Sequence, residues 1–145
     1  MTRHARFYTL AVVVSFILFL PFVVSAANHE AKQLFDRSQF EFTDANYQEA
    51  LNFIDQAIKL EPANLNYQRF RGTILARLKR YKEAVEDLNK VMATDPVGQQ
   101  AVIIDIANIY AAMKDDVNAE IHYTKAILLY PDRPDLYMSR GLTYL

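Results

Sequence analysis

Several residue types in this 145-residue chain are able to do chemistry, and their spacing decides whether they do. Glu83, Glu86 and Asp87 lie about one helical turn apart, as do Asp115, Asp116 and Glu120. Paired carboxylates act as acid and base when an apolar cleft drives their pKa values apart. The helical spacing predicts the first set on the outward face of a helix and the second in a turn and its cap, so neither meets that condition. The histidines are His4, His29 and His122, and no two stand four apart as helical metal ligands do. There is no Cys, which excludes thiol catalysis, disulfides, iron–sulfur clusters and Cys-based zinc sites. No Ser lies in a Gly-x-Ser-x-Gly context and no Gly-rich run could cradle phosphate. The residues therefore predict no enzyme, no metal and no cofactor.

Arginine offers one more candidate, a column at Arg37, Arg71 and Arg140 with Ile106 in the same rhythm. It reads as a ladder for anions or as a packing device. The column runs beside a column of small residues, which favours packing: the stem lies on apolar surface and the head pairs with a nearby acid or helix carbonyl.

The elements that position these residues repeat. Pro62, Pro96 and Pro131 are 34 and 35 apart, and so are Ala50, Ala84 and Ala119, and Ala57, Val91 and Ala126. Ser38, Gly72, Ala107 and Gly141 follow at 34, 35 and 34. The shared extra residue falls in Val97-Gly98-Gln99-Gln100. Apolar spacing is helical throughout, with no strand alternation, and predicts helices at about 29–43, 47–60, 64–78, 81–93, 100–113, 117–130 and 134–144. A period of this length means antiparallel helix pairs, neither of which buries its apolar stripe alone. The small columns predict the tight crossings. Leu75, Tyr110 and Tyr144 on first helices, and Ile54, Leu88 and Tyr123 on second helices, fill the space beside them. Asn46 with Glu49 predicts a capping box, and Asn64 an N-cap.

The first 26 residues differ from the rest. Arg3 and Arg6 precede an uncharged run from Phe7 to Val24, broken by Pro21 and followed by Val24-Ser25-Ala26. This is the pattern of a signal peptide cut after Ala26 or Ala27; the same run is long enough to be a retained membrane anchor. Either way the basic end stays cytoplasmic and the body crosses, to a periplasmic or secreted location. Membrane contact is expected only through an uncleaved segment. Without residues 1–26 the formal charge is −3 instead of −1, which argues against a nucleic-acid partner.

These columns resemble the tetratricopeptide repeat (TPR) family. Tyr47-Gln48-Glu49-Ala50-Leu51 and Tyr81-Lys82-Glu83-Ala84-Val85 are similar to its second-helix opening. Tyr137-Met138-Ser139-Arg140-Gly141-Leu142-Thr143-Tyr144 is similar to its first helix. The likeness covers repeats at about 31–64, 65–98 and 100–133 and a half repeat at 134–145, within a domain at 29–145. Arg replaces the family's usual Leu at 37, 71 and 140, Glu41 stands where Leu or an aromatic belongs, and Asp116 replaces the aromatic of Tyr47 and Tyr81. The resemblance implies an all-α, right-handed superhelical solenoid of about 3.5 units and seven helices. It further implies a non-catalytic adaptor or scaffold that grips a peptide or partner helix in a concave groove.

By position in the family, that groove would be lined by Phe35, Gln39, Asn66, Arg69, Thr73, Arg77, Ile104, Asn108, Met138 and Leu142. Lys32, Phe42, Ala101, Ala112 and Asp135 stand beside them. Lys32, Arg69 and Arg77 would form a basic strip for an acidic segment or a terminal carboxylate, or only solvate an exposed face. Phe35, Gln39 and Ala101 occupy the positions where chaperone-binding members carry clamp Lys and Asn residues, so that partner class is not expected. The last helix crowds Leu136, Tyr137, Leu142, Tyr144 and Leu145 with little charge. Three explanations stay open: a cap laid on Tyr123, Ile127 and Tyr130; an edge that binds a partner or second copy, making a homo-oligomer; or a shortened chain.

Overall fold

The computed structural model describes residues 26–94 and 99–144, with side chains at all of these except 99–101. Seven helices, and no strand, occur among the described residues. They are α1 (26–43), α2 (Tyr47–Leu60), α3 (Leu65–Arg77), α4 (Tyr81–Thr94), α5 (Gln99–Ala112), α6 (Asp116–Leu129) and α7 (Pro134–Leu142). All seven match an expected helix. Residues 1–25 of the expected 1–26 leader, the Pro96 column position, and Val97 and Gly98 of the turn lie outside the described residues, as do the side chains of Gln99, Gln100, Ala101 and Leu145.

Each helix packs on its neighbours in the chain, and α3 also touches α5, so first helices lie side by side. One apolar cluster runs from Ala31 in α1 to Ile109 in α5, built on Ile54, Ile74, Leu88 and Ile106, all fully buried. A second joins Ala107, Ala119, Tyr123, Ala126 and Leu136 across α5, α6 and α7. The small columns do what small residues are for. Ser38 is fully buried and its hydroxyl donates to the Ala50 carbonyl at 2.7 Å, so α1 and α2 nearly touch backbones. A Cβ built on Gly72 would stand 3.0 Å from Leu88 Cγ and 3.4 Å from the Ala84 carbonyl. Gly141 breaks the series: it is exposed, and no described atom lies within 4 Å of where its Cβ would be. The tight crossing expected there is not seen among the described residues.

Helix ends show one confirmation and one correction. Asn64 caps α3, accepting the Asn66 and Tyr67 N–H groups at 3.2 and 3.4 Å. The capping box at Asn46 is absent: its side chain makes no cap bond and donates instead to Glu41 at 2.9 Å. The turn between first and second helices explains why. Ala45, Lys79 and Lys114 all adopt φ near 60°, and they are 34 and 35 residues apart. In each, the left-handed residue donates back three residues and the next residue five, as in Asn46 N–H to the Glu41 carbonyl at 2.8 Å. This is the Schellman closure, usually built on Gly. It swings the Asn46 side chain back toward α1.

Candidate functional site

First helices, side by side, leave a cleft of about 430 Å³ between α3 and α5, with α4 at its base. Its apolar lining comes from Ala76, Leu88, Ile109 and Ala112, with Tyr81 at the side. Thr73, Arg77, Lys79, Asp105 and Asn108 add polar groups. The sequence-derived groove is thus brought together in part. Thr73, Arg77 and Asn108 share this cleft with Ala112, while the other expected residues do not line it.

Phe35 is half-buried in an aromatic stack, 4.8 Å from the Tyr67 ring and 5.4 Å from Phe70. Gln39 and Asn66 are exposed. Ile104 packs half-buried on the second cluster. Met138 is 68 % exposed. Leu142 faces a separate cavity of about 180 Å³ shared with Lys114, Tyr123 and Ser139.

The expected basic strip is mostly spent internally. Lys32 pairs with Asp36 at 2.9 Å, and Arg69 pairs with Asp105 at 3.2 Å across α3 and α5. Arg77 is exposed, its guanidinium 6.0 Å from the Phe42 ring centre. Asn108 is also engaged, accepting the Tyr123 hydroxyl at 2.8 Å. Asp105 was missed by sequence reasoning. Burial pushes its carboxyl above the ordinary carboxylate range, and the Arg69 guanidinium only partly pulls it back. The available signal was its place beside Ile106, one repeat after Phe70, where it meets Arg69 from the next helix.

The arginine column is structural. Arg71 holds Asp87 at 2.6 and 2.7 Å and Asp55 at 3.2 Å. Arg37 lies over the Phe53 ring at 4.6 Å, and Arg140 reaches the Thr124 hydroxyl at 3.4 Å. Asp87 therefore does not belong to an outward face with Glu83 and Glu86, as its spacing suggested: it is 3 % exposed, turned inward to Arg71. His122 bonds the Asn118 carbonyl at 2.8 Å and lies against Tyr110. Among the described residues no group of His and carboxylates could hold a metal ion, and no helix is long and apolar enough to cross a membrane.

An open groove on stacked helix pairs defines a repeat scaffold, a fold that generally serves protein interaction without catalysis. Residues 70–97 match the tetratricopeptide repeat model, and the fold of the described residues is similar to that of tetratricopeptide-repeat domains. The TPR domain of OM64 from Arabidopsis superposes with a TM-score of 0.72 at 18% identity, covering 81% of this chain and 97% of that one. The first TPR domain of Spaghetti (RPAP3), bound to the HSP90 peptide SRMEEVD, gives 0.71 at 18%, covering 81% and 92%. MamA from Desulfovibrio magneticus RS-1 gives 0.72 at 21%, covering 79% and 64%. Among curated proteins the sequence finds no match.

Proposed function

We propose that this chain is an adaptor that holds a partner protein by a short segment in the α3–α5 cleft, on the non-cytoplasmic side of a membrane. The observation that carries the reading is the convergence of Thr73, Arg77 and Asn108 over an apolar floor of Ala76, Ile109 and Ala112. Such a cleft suits a segment with a small apolar side chain beside a hydrogen-bonding or acidic one, the latter meeting Arg77 or Lys79. That RPAP3, of similar fold, is bound to a peptide supports this use of the groove. Phe35 and Gln39 in place of a clamp's Lys and Asn argue for a different peptide. The compartment rests on the basic start, apolar run and Ala26 of the leader.

Selection of a random peptide library on the immobilised full chain tests the cleft. Enriched peptides should lose binding to Arg77→Glu and Thr73→Arg and keep it with Gln39→Ala. Equal binding to all three variants would remove the reading. N-terminal sequencing of the exported protein tests the leader.

A second reading, a subunit that stacks on further copies through its last helix, is favoured by Met138 and Leu142, 68 % and 69 % exposed on α7. Light scattering should then show mass rising with concentration, abolished by Leu142→Glu.

A further inference from the structure

The fold makes little use of the Asp105 carboxylate in the α3–α5 cleft. Arg69 reaches only one of its oxygens, Oδ2, through Nε at 3.4 Å and Nη2 at 3.2 Å. Oδ1 bonds no described residue, and no buried polar side-chain atom among the described residues lacks a partner, so Oδ1 keeps contact with solvent in the cleft. Burial of the rest of the group works against its charge. A carboxyl held in a cleft at a cost to the fold marks a ligand contact. The other sign stands across the cleft. Arg77 at the end of α3 and Lys79 in the turn after it are both exposed, and neither forms an ion pair among the described residues. Arg77 is one repeat before Ala112, at the far end of α5, and Asp105 lies seven residues back along that helix, about 10 Å nearer its start. Negative and positive groups thus face each other from opposite walls, offset by that length, over the floor of Ala76 and Ile109.

An extended segment matches that offset. It advances about 3.3 Å per residue and turns successive side chains to opposite faces, so residues three apart are about 10 Å apart and point opposite ways. We propose that the cleft selects an extended segment of a partner protein carrying a basic and an acidic side chain three residues apart, the basic one on Asp105 Oδ1 and the acidic one at Arg77 or Lys79. This rests on the cleft reading above and narrows it. The chain itself shows a carboxylate shared by two cations: Asp87 holds Arg71 at 2.6 Å and Lys90 at 3.5 Å, as Asp105 would hold Arg69 and the ligand's base. A helical ligand fits less well, because seven residues of helix span the same length and bring both side chains to one face. A doubly acidic segment would set a like charge against Asp105.

The test titrates the full chain, by calorimetry, with four end-blocked peptides whose only charges are on side chains. Two are mixed, Gly-Lys-Ala-Ala-Glu-Gly and Gly-Glu-Ala-Ala-Lys-Gly, one for each direction the backbone could run. The others are Gly-Glu-Ala-Ala-Glu-Gly and Gly-Lys-Ala-Ala-Lys-Gly. One mixed peptide should bind about tenfold more tightly than either like-charged one. Asp105→Asn should remove its advantage over the doubly acidic peptide while the variant melts no lower. Arg77→Glu should move the preference to the doubly basic peptide. Asp55→Asn, outside the cleft, should bind as the unaltered chain does. The proposal is overturned if neither mixed peptide binds at about 1 mM, if the doubly acidic peptide binds as well, or if Asp105→Asn keeps the preference. Should the preference be absent while library-selected peptides still lose binding to Arg77→Glu and Thr73→Arg, the charge pattern fails and the cleft stands. Should those two variants bind the selected peptides as the unaltered chain does, the cleft reading falls with it.

Discussion

Arg71 grips Asp87 with two parallel bonds, Nε to Oδ2 at 2.6 Å and Nη2 to Oδ1 at 2.7 Å, and turns Nη1 to Asp55 at 3.2 Å. One side chain of α3 thereby ties α2 to α4, the second helices of successive units. The bidentate geometry is the strongest an ion pair takes, and it raises the guanidinium pKa further still. The two partners differ in burial: the Asp87 side chain is 4 % exposed, that of Asp55 42 %.

That difference sets the first prediction. Asp87→Ala leaves a half-buried guanidinium without its main partner and should cost about 3 kcal/mol, as broken buried pairs do. Asp55→Ala removes a solvent-screened contact and should cost less than about 1 kcal/mol. Guanidinium denaturation of both variants measures this, and equal costs would contradict the unequal roles.

Gly72 and Gly141 share a column but not an environment. Gly72→Val drives side-chain atoms into buried Leu88 and should cost about 2–3 kcal/mol. Gly141→Ala adds a methyl in open space in the last turn of α7, so it should be neutral or stabilise by up to about 0.5 kcal/mol, less than a helix-interior exchange. The thermal unfolding temperature should fall for Gly72→Val and hold or rise for Gly141→Ala.

The left-handed turn residues carry strain that glycine would relieve. Lys79→Gly, at φ 60°, should raise stability by up to about 1 kcal/mol, less the chain entropy glycine adds when unfolded. The same exchange one residue earlier, Leu78→Gly, should destabilise, because that side chain packs on the core. Paired urea titrations compare them.

Asp105 gives a pH dependence. Its folded carboxyl pKa lies above the unfolded value of 3.8, so the folded state favours the protonated form. The stability this group contributes is full below 3.8 and is lost as pH rises through the folded value. At neutral pH the charge therefore costs stability, and Asp105→Asn should melt at the same temperature or higher. Below pH 4 that advantage should vanish. A variant that melts lower at pH 7 would show that the Arg69 pair outweighs burial.

The repeat was legible in the sequence because bulk and smallness at fixed spacing are local properties of a helical chain. Seven helices, the Asn64 cap, the inward arginine column and the burial of Ile54, Leu88 and Tyr123 all follow from it. What the sequence left open depends on which groups meet across units. Asp87 has the spacing of an outward carboxylate, and only Arg71 on the neighbouring helix turns it inward. Arg69 and Asn108 read as free groove residues until Asp105 and Tyr123 arrive from adjacent helices to engage them. Gly141 has the identity of a tight crossing and none of the neighbours that make one. Periodicity assigns each side chain a direction from its own helix; whether that direction ends in a partner, a cleft or solvent is decided by the helices packed around it.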